Sequence, residues 1–237
     1  MANATTSPTI VSRVAEQIQR DILNGTYPPG ASLPEIPLGR RLDVSRSVIR
    51  EALRGLTDSG LVVLSPRHGA IVSPVSPQLV HEVFSLRALL EAFALKLGMT
   101  NGRMHGDAAA AVEQAYESLA AAANSSDKLA IIEADMAFHW AVCQPCGHEL
   151  LLEHLKQLQA RTRLCILYTK LYRSDAESEA LSHRPILNAI RAGEADRAEL
   201  ALRDHVIGAG QRLLVQLVEQ EKLKPAGRGR SRIKVIA

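Results

Sequence analysis

The stretch D-V-S-R-S-V-I-R-E-A-L-R-G-L, Asp43 to Leu56, decides the fold. Ser45 is placed to cap a helix, because a serine hydroxyl accepts a hydrogen bond from a backbone N–H of the first turn. Ile49, Ala52, Leu53 and Leu56 then recur at helical spacing on one side, whereas Arg46, Arg50 and Arg54 step i, i+4, i+8 along a neighbouring side. One edge of such a helix is anchored in a core and the other offers guanidinium groups. A solvated basic face has the same look, so the flanking elements decide between the two readings.

Upstream, Val14, Ile18 and Ile22 recur every four residues and predict a helix over Val11–Leu23, stopped by Gly25. Pro28, Pro29 and Gly30 force a turn. A short helix follows over Ile36–Leu42, with Pro37 tolerated in its first turn. Downstream of Gly60 the period changes to extended: Leu61 to Leu64, a turn from Pro66 to Gly69, then Ala70 to Val72. This is a hairpin with a basic tip, Arg67 and His68. The order helix, helix-turn-helix, hairpin is that of a winged helix-turn-helix, which sets its third helix in the DNA major groove.

Ser73 to Pro77, S-P-V-S-P, reads as a linker, and the residues after it change character. Six helical patterns follow: Gln78–Met99, Asp107–Ala123, Asp127–Cys143, His148–Tyr172, Glu177–Ala192 and Ala195–Glu221. No strand pattern interrupts them. A mainly α chain is therefore expected: a winged helix-turn-helix domain over 1–72, a linker over 73–77, an antiparallel helical bundle over 78–221, and a basic flexible tail over 222–237. The composition of 46% hydrophobic but only 3% aromatic residues agrees with aliphatic helical packing. Eight basic against six acidic side chains in residues 1–76, and four against none in 225–237, flank an acidic middle. The tail run G-R-G-R-S-R-I-K, Gly227 to Lys234, also suits non-specific DNA affinity.

Three cysteines, Cys143, Cys146 and Cys165, form no disulfide framework. The C-x-x-C of Cys143 and Cys146 encloses Pro145 and has no second pair to complete a zinc knuckle, so it reads as helix-end packing. No signal pattern opens the chain, and no run reaches the roughly 18 apolar residues of a membrane span. A cytoplasmic protein is expected.

The candidate chemistry lies in the helical half. Asp135 and His139 stand i, i+4 on one helix and share a side with Ile132 and Met136. His183 and His205 stand on two later helices, His205 on the side of Val206, Ala209 and Leu213. Three imidazoles and a carboxylate suit zinc, nickel, iron or manganese, with one or two positions left for water or an effector. On spacing alone, single histidines on apolar faces are more often hydrogen-bonded core residues. A metal-dependent hydrolase is a rival reading, but the chain has no H-E-x-x-H and no second buried carboxylate is expected as a general base.

The run from Tyr27 to Val62, Y-P-P-G-A-S-L-P-E-I-P-L-G-R-R-L-D-V-S-R-S-V-I-R-E-A-L-R-G-L-T-D-S-G-L-V, closely resembles the DNA-binding domain of the GntR family of bacterial transcription regulators. The resemblance implies that Arg46 and Arg50 read or clamp the operator, and that Ser45 holds a phosphate. It further implies that His68 and Gly69 of the wing enter the minor groove, with Ser47, Arg54 and Arg67 as flanking contacts. Pro37 and Asp43 depart from the family's usual residues; aspartate tolerates the left-handed turn that position needs. D-M-A-F-H-W from Asp135, H-R-P-I-L-N-A-I from His183, and A-L-R-D-H-V around His205 look like the ligand segments of the FCD effector domain of the FadR subgroup. Six helices suit its shorter, VanR-like branch. The resemblance implies a divalent metal, zinc foremost, on Asp135, His139, His183 and His205, beside a small carboxylate or sugar-acid effector gripped by Arg87. In F-S-L-R-A-L-L-E, Leu86, Leu89, Leu90 and Phe93 mark the expected apolar side with Arg87 at its border, and an Arg87–Glu91 pair is the alternative. Arg161, Arg163, Tyr168 and Tyr172 are further pocket candidates. The expected function is a repressor that binds a palindromic double-stranded operator as a homodimer, with a direct metal sensor as the alternative.

Overall fold

The computed structural model describes residues 9–65, 69–124, 127–170 and 176–223, in two compact units that divide between Val75 and Ser76. The basic tail beyond residue 223, the wing tip with Arg67 and His68, and Tyr172 lie outside the described residues.

In the first unit, α1 (Ile10–Leu23) is capped by the Thr9 hydroxyl, which accepts from the Ser12 N–H at 3.1 Å, and it buries Val14, Ile18 and Ile22. Helix α2 (Glu35–Leu42) follows Pro34; Pro37, third in the helix, lacks an N–H that would have no helical partner there. The turn is tight because Asp43 takes the left-handed conformation (φ 51°, ψ 49°). Gly39 is required beside it, since a Cβ there would stand 3.0 Å from the Val44 carbonyl oxygen. Helix α3 (Arg46–Asp58) seats Ile49, Ala52, Leu53 and Leu56 in the core. Strands β1 (Val62–Ser65) and β2 (Gly69–Val72) pair antiparallel, Val62 opposite Val72 and Ser65 opposite Gly69, and Ser32 bridges to Ile71. Ile18, Leu33, Leu38, Ile49, Leu53 and Leu61 close this core.

The second unit has six α-helices among its described residues: α4 (Pro77–Thr100), α5 (Asp107–Ala123), α6 (Lys128–Cys143), α7 (Glu149–Lys170), α8 (Ala176–Arg191) and α9 (Ala195–Leu223). Ser76 caps α4 with Pro77 as first helical residue, and Asp127 caps α6. A 3-10 turn, Gln144–Cys146, ends α6 and buries Cys146 beside Cys143. Helix α8 continues through Pro185.

Helix α4 overturns one expectation. Leu86, Leu89 and Phe93 are 43%, 65% and 49% exposed, whereas the inward side carries Val83, Phe84, Arg87, Ala88, Glu91, Ala92, Leu95 and Gly98. The helix carries apolar residues on both sides, so residue size misleads: Ala88, Ala92 and Gly98 face in because neighbouring backbones come close there. A Cβ on Gly210 of α9 would meet Phe84 Cβ at 2.7 Å, and one on Gly98 would meet the Pro145 carbonyl carbon at 3.2 Å.

Candidate metal centre and nucleic-acid interface

On the first unit, the N-terminal end of α3 is exposed. Arg46 and Arg50 both reach the carboxylate of Glu35 in the first turn of α2. Arg50 donates from Nε to Oε1 at 3.1 Å and from Nη2 to Oε2 at 3.0 Å, while Arg46 pairs through Nε. These bonds, from Arg50 first and then Arg46, hold the Glu35 carboxyl at about 2, well below the usual carboxylate range. Glu35 was missed in the sequence because it faces the arginines across the turn, 11 and 15 residues away, where no helical spacing applies.

Ser45 is committed to capping: its Oγ accepts from the Val48 N–H at 3.4 Å and lies 2.9 Å from the Ser47 hydroxyl. Arg54 is exposed a turn beyond Arg50, and Gly69 begins β2 with φ +68°, a left-handed conformation that favours glycine. Glu35, Ile36, Gly39, Arg40, Asp43, Val44, Ser45 and Arg46 line a shallow hollow at this end. Backbone N–H groups of a helix's first turn together with forked guanidinium groups suit phosphate and base-edge acceptors.

In the second unit, α6 brings Asp135 and His139 to one side, α8 brings His183 and α9 brings His205. One ligand atom from each lies within 4.8 Å of all the others. His183 Nε2 is 3.3 Å from His139 Nε2 and 3.3 Å from Asp135 Oδ1. Bonds of about 2.1 Å to one shared ion place neighbouring ligand atoms about 3.0–3.4 Å apart, which these two separations match. Asp135, His139 and His183 are buried, and the His183 and His205 rings lie 4.1 Å apart. Burial, and after it His183 and His139, hold His205 well below the ordinary histidine value, which keeps a lone pair free for an ion. Three imidazoles and one carboxylate are a donor set for a borderline divalent cation.

Behind His139 lies a second buried carboxylate that the sequence reading did not expect. Glu91 of α4 is 4% exposed, its Oε2 stands 2.7 Å from His139 Nδ1, and its Oε1 accepts from Arg87 Nε at 2.6 Å. Arg87 is therefore inside the unit and not at a border, paired with Glu91 and lying over the Phe84 ring. Burial alone raises a carboxyl pKa, but Arg87 and then His139 bring Glu91 below its ordinary value; burial likewise opposes the Arg87 charge, which Glu91 more than restores. Both oxygens of Glu91 are thus committed, which disqualifies it as a free general base.

A cavity of about 20 Å³ opens beside these groups, lined by Arg87, Glu91, Met136, His139, Trp140 and Thr162 among others. The Thr162 hydroxyl, buried in its wall, has no hydrogen-bond partner among the described residues. Burial pushes the Cys143 thiol, also in the wall, well above its usual value, so it is an inert packing group. Arg163 pairs with Glu133 and does not line this cavity; neither do Arg161 or Tyr168.

Residues 10–72 match the family model for bacterial regulatory proteins of the gntR family, and residues 82–208 match the FCD domain. The chain is 30% identical over 203 residues to a Paenarthrobacter nicotinovorans protein named "Probable D-xylose utilization operon transcriptional repressor", covering 85% of this chain and 87% of that one. It is 25% identical over 222 residues to the galactonate operon transcriptional repressor of Escherichia coli K12, covering 85% and 95%. McbR/YncC of E. coli shares the fold with a TM-score of 0.75, at 21% identity over 88% of this chain and 99% of that one. Among the described residues no helix is long and apolar enough to cross a membrane. The chain belongs to the GntR family of bacterial transcriptional regulators, which are not enzymes, and joins a gntR-type DNA-binding domain to an FCD domain.

Proposed function

We propose that this regulator is a cytoplasmic repressor that binds a palindromic operator as a homodimer and answers to a small carboxylate, such as a sugar acid, held near a divalent metal in its FCD domain. The observation that carries the reading is the convergence of Asp135, His139, His183 and His205 to within 4.8 Å. Zinc suits the nitrogen-rich set best, with nickel, iron or manganese compatible. When bound, such an ion supplies open coordination positions for carboxylate and hydroxyl oxygens.

Arg87 commits Nε to Glu91 and has further N–H donors for the carboxylate of a ligand. The partnerless Thr162 hydroxyl in the same cavity wall supports a polar occupant. At about 20 Å³ the cavity holds a water rather than a sugar acid, so ligand entry widens it. The relative named for the galactonate operon, a sugar-acid operon, agrees with this ligand class. Leu86, Leu89 and Phe93 form an exposed apolar stripe on α4 suited to a twofold contact.

At the DNA, Arg46 and Arg50 read or clamp base edges, Arg54 and Ser47 meet the backbone, Ser45 orients the helix end, and Arg67, His68 and Gly69 form the wing contact. The test is selection from random-sequence duplexes by zinc-loaded full-length protein. An enriched inverted repeat that Arg50→Ala no longer selects is expected; enrichment of no sequence, or an unchanged repeat with Arg50→Ala, speaks against it. In the alternative, direct metal sensing, zinc titrated alone switches affinity for that repeat.

A further inference from the structure

We propose that Glu91 is a positioning residue that joins the metal centre to the effector cavity: it holds His139 with Nδ1 protonated and Nε2 turned to the ion, while its other oxygen restrains Arg87. This rests on the reading that Asp135, His139, His183 and His205 hold a divalent cation.

A carboxylate can only accept hydrogen bonds, so the 2.7 Å contact between Glu91 Oε2 and His139 Nδ1 requires the proton on Nδ1. In the neutral ring that tautomer leaves the lone pair on Nε2, and it is this atom that stands 3.3 Å from His183 Nε2 within the cluster. Metal-ligating histidines generally donate their other N–H to such a partner, which fixes the ring and raises its basicity. The second oxygen is what makes this partner unusual. Glu91 Oε1 accepts from Arg87 Nε at 2.6 Å, with both side chains about 5% exposed. One carboxylate therefore spans the distance between a cluster histidine and the arginine of the cavity, both of which line that cavity with it. Its place on α4, rather than on any helix that carries a cluster residue, ties a fourth helix to the centre.

The linkage has a direction. A ligand carboxylate that draws Arg87 away leaves Glu91 with His139 as its remaining partner, and strengthens the bond that orients the ligand nitrogen. Occupation of the cavity and retention of the ion are then mutually reinforcing, by the same factor in each direction.

The test is isothermal titration of zinc into chelator-stripped full-length protein, with far-UV circular dichroism to establish folding. Glu91→Gln is expected to bind zinc about 10–100-fold more weakly than wild type, whereas Arg87→Gln, which leaves the carboxylate on His139 and removes its competing partner, binds it at least as tightly. Because Glu91→Gln strands a buried guanidinium, Arg87→Gln/Glu91→Gln supplies a variant without buried unpaired charge, and it is expected to show the same loss as Glu91→Gln. Wild-type affinity in the folded double variant overturns the proposal. A measurement on wild type needs no variant: histidine-selective 15N labelling of the zinc-loaded protein is expected to show His139 protonated at Nδ1, and protonation at Nε2 overturns it. A wild-type protein that takes up no zinc contradicts the metal reading itself, which is a different failure.

Discussion

Arg50 grips Glu35 through two parallel hydrogen bonds, Nε to Oε1 and Nη2 to Oε2, at 3.1 and 3.0 Å. A guanidinium forked onto a carboxylate is already in the planar arrangement it needs for guanine O6 and N7. Arg50→Ala is expected to cost about 1–3 kcal/mol of discrimination per guanine contact while leaving the protein folded. Fluorescence anisotropy against the selected repeat and a scrambled duplex measures it; undiminished discrimination removes Arg50 from the readout.

Glu35 makes the opposite prediction for non-specific binding. Both arginines share its carboxylate, so Glu35→Gln is expected to tighten binding to scrambled duplex and narrow the gap to the operator. Glu35 also carries a pH signature. Its folded pKa of about 2 lies below its ordinary value of 4.5, so its stabilising contribution is complete above 4.5 and is lost as pH falls from there through about 2. Acid denaturation of Glu35→Gln is expected to show a shallower loss over that window; identical acid limbs for variant and wild type contradict the pairing.

How much of this was legible in the sequence depends on whether a feature is local. The helix-turn-helix follows from the Ser45 cap, the turn at Asp43 and the spacing of Ile49, Leu53 and Leu56, all within one short stretch. Asp135, His139 and His205 were legible because each shares a helix side with apolar neighbours, a pattern that needs no knowledge of helix order, whereas His183 rested on the likeness of its segment to the FCD domain. Glu35, and the bond from Glu91 to His139, could not be found this way, since each reaches residues of another helix, whereas the i, i+4 pair of Glu91 with Arg87 was legible within α4. The facing of α4 was misread because both of its sides are apolar, and only the glycine contacts that face Phe84 and Pro145 distinguish them.

Those contacts predict a cost for Gly210→Ala. Alanine gains about 1 kcal/mol in helix propensity, but its Cβ collides with Phe84 Cβ at 2.7 Å and with Phe84 Cγ at 3.0 Å. Overpacking of this kind costs about 1–3 kcal/mol. Net destabilisation and a lower Tm are expected in thermal melts of the full chain; a raised Tm shows that α4 and α9 do not cross this closely.

The α4 stripe is tested by Leu89→Glu. At 65% exposure the substitution spares the core, yet a charge placed in a twofold contact meets its own copy. Light scattering is expected to show monomers with unchanged circular dichroism. A dimer of wild-type strength places the contact on another surface.

The central claim is that metal and carboxylate act at one site in the FCD domain, and the most direct measurement is thermal unfolding of zinc-loaded and chelator-stripped protein across a panel of small carboxylic and sugar acids. At a hundredfold excess over Kd a ligand adds about 2.7 kcal/mol, or about 5–10 °C in Tm for a chain of this size. The expected result is such a shift from at least one acid with zinc-loaded wild type, absent without metal and absent in His139→Ala and Arg87→Ala. No shift from any acid, or a shift that survives metal removal and both substitutions, contradicts the account.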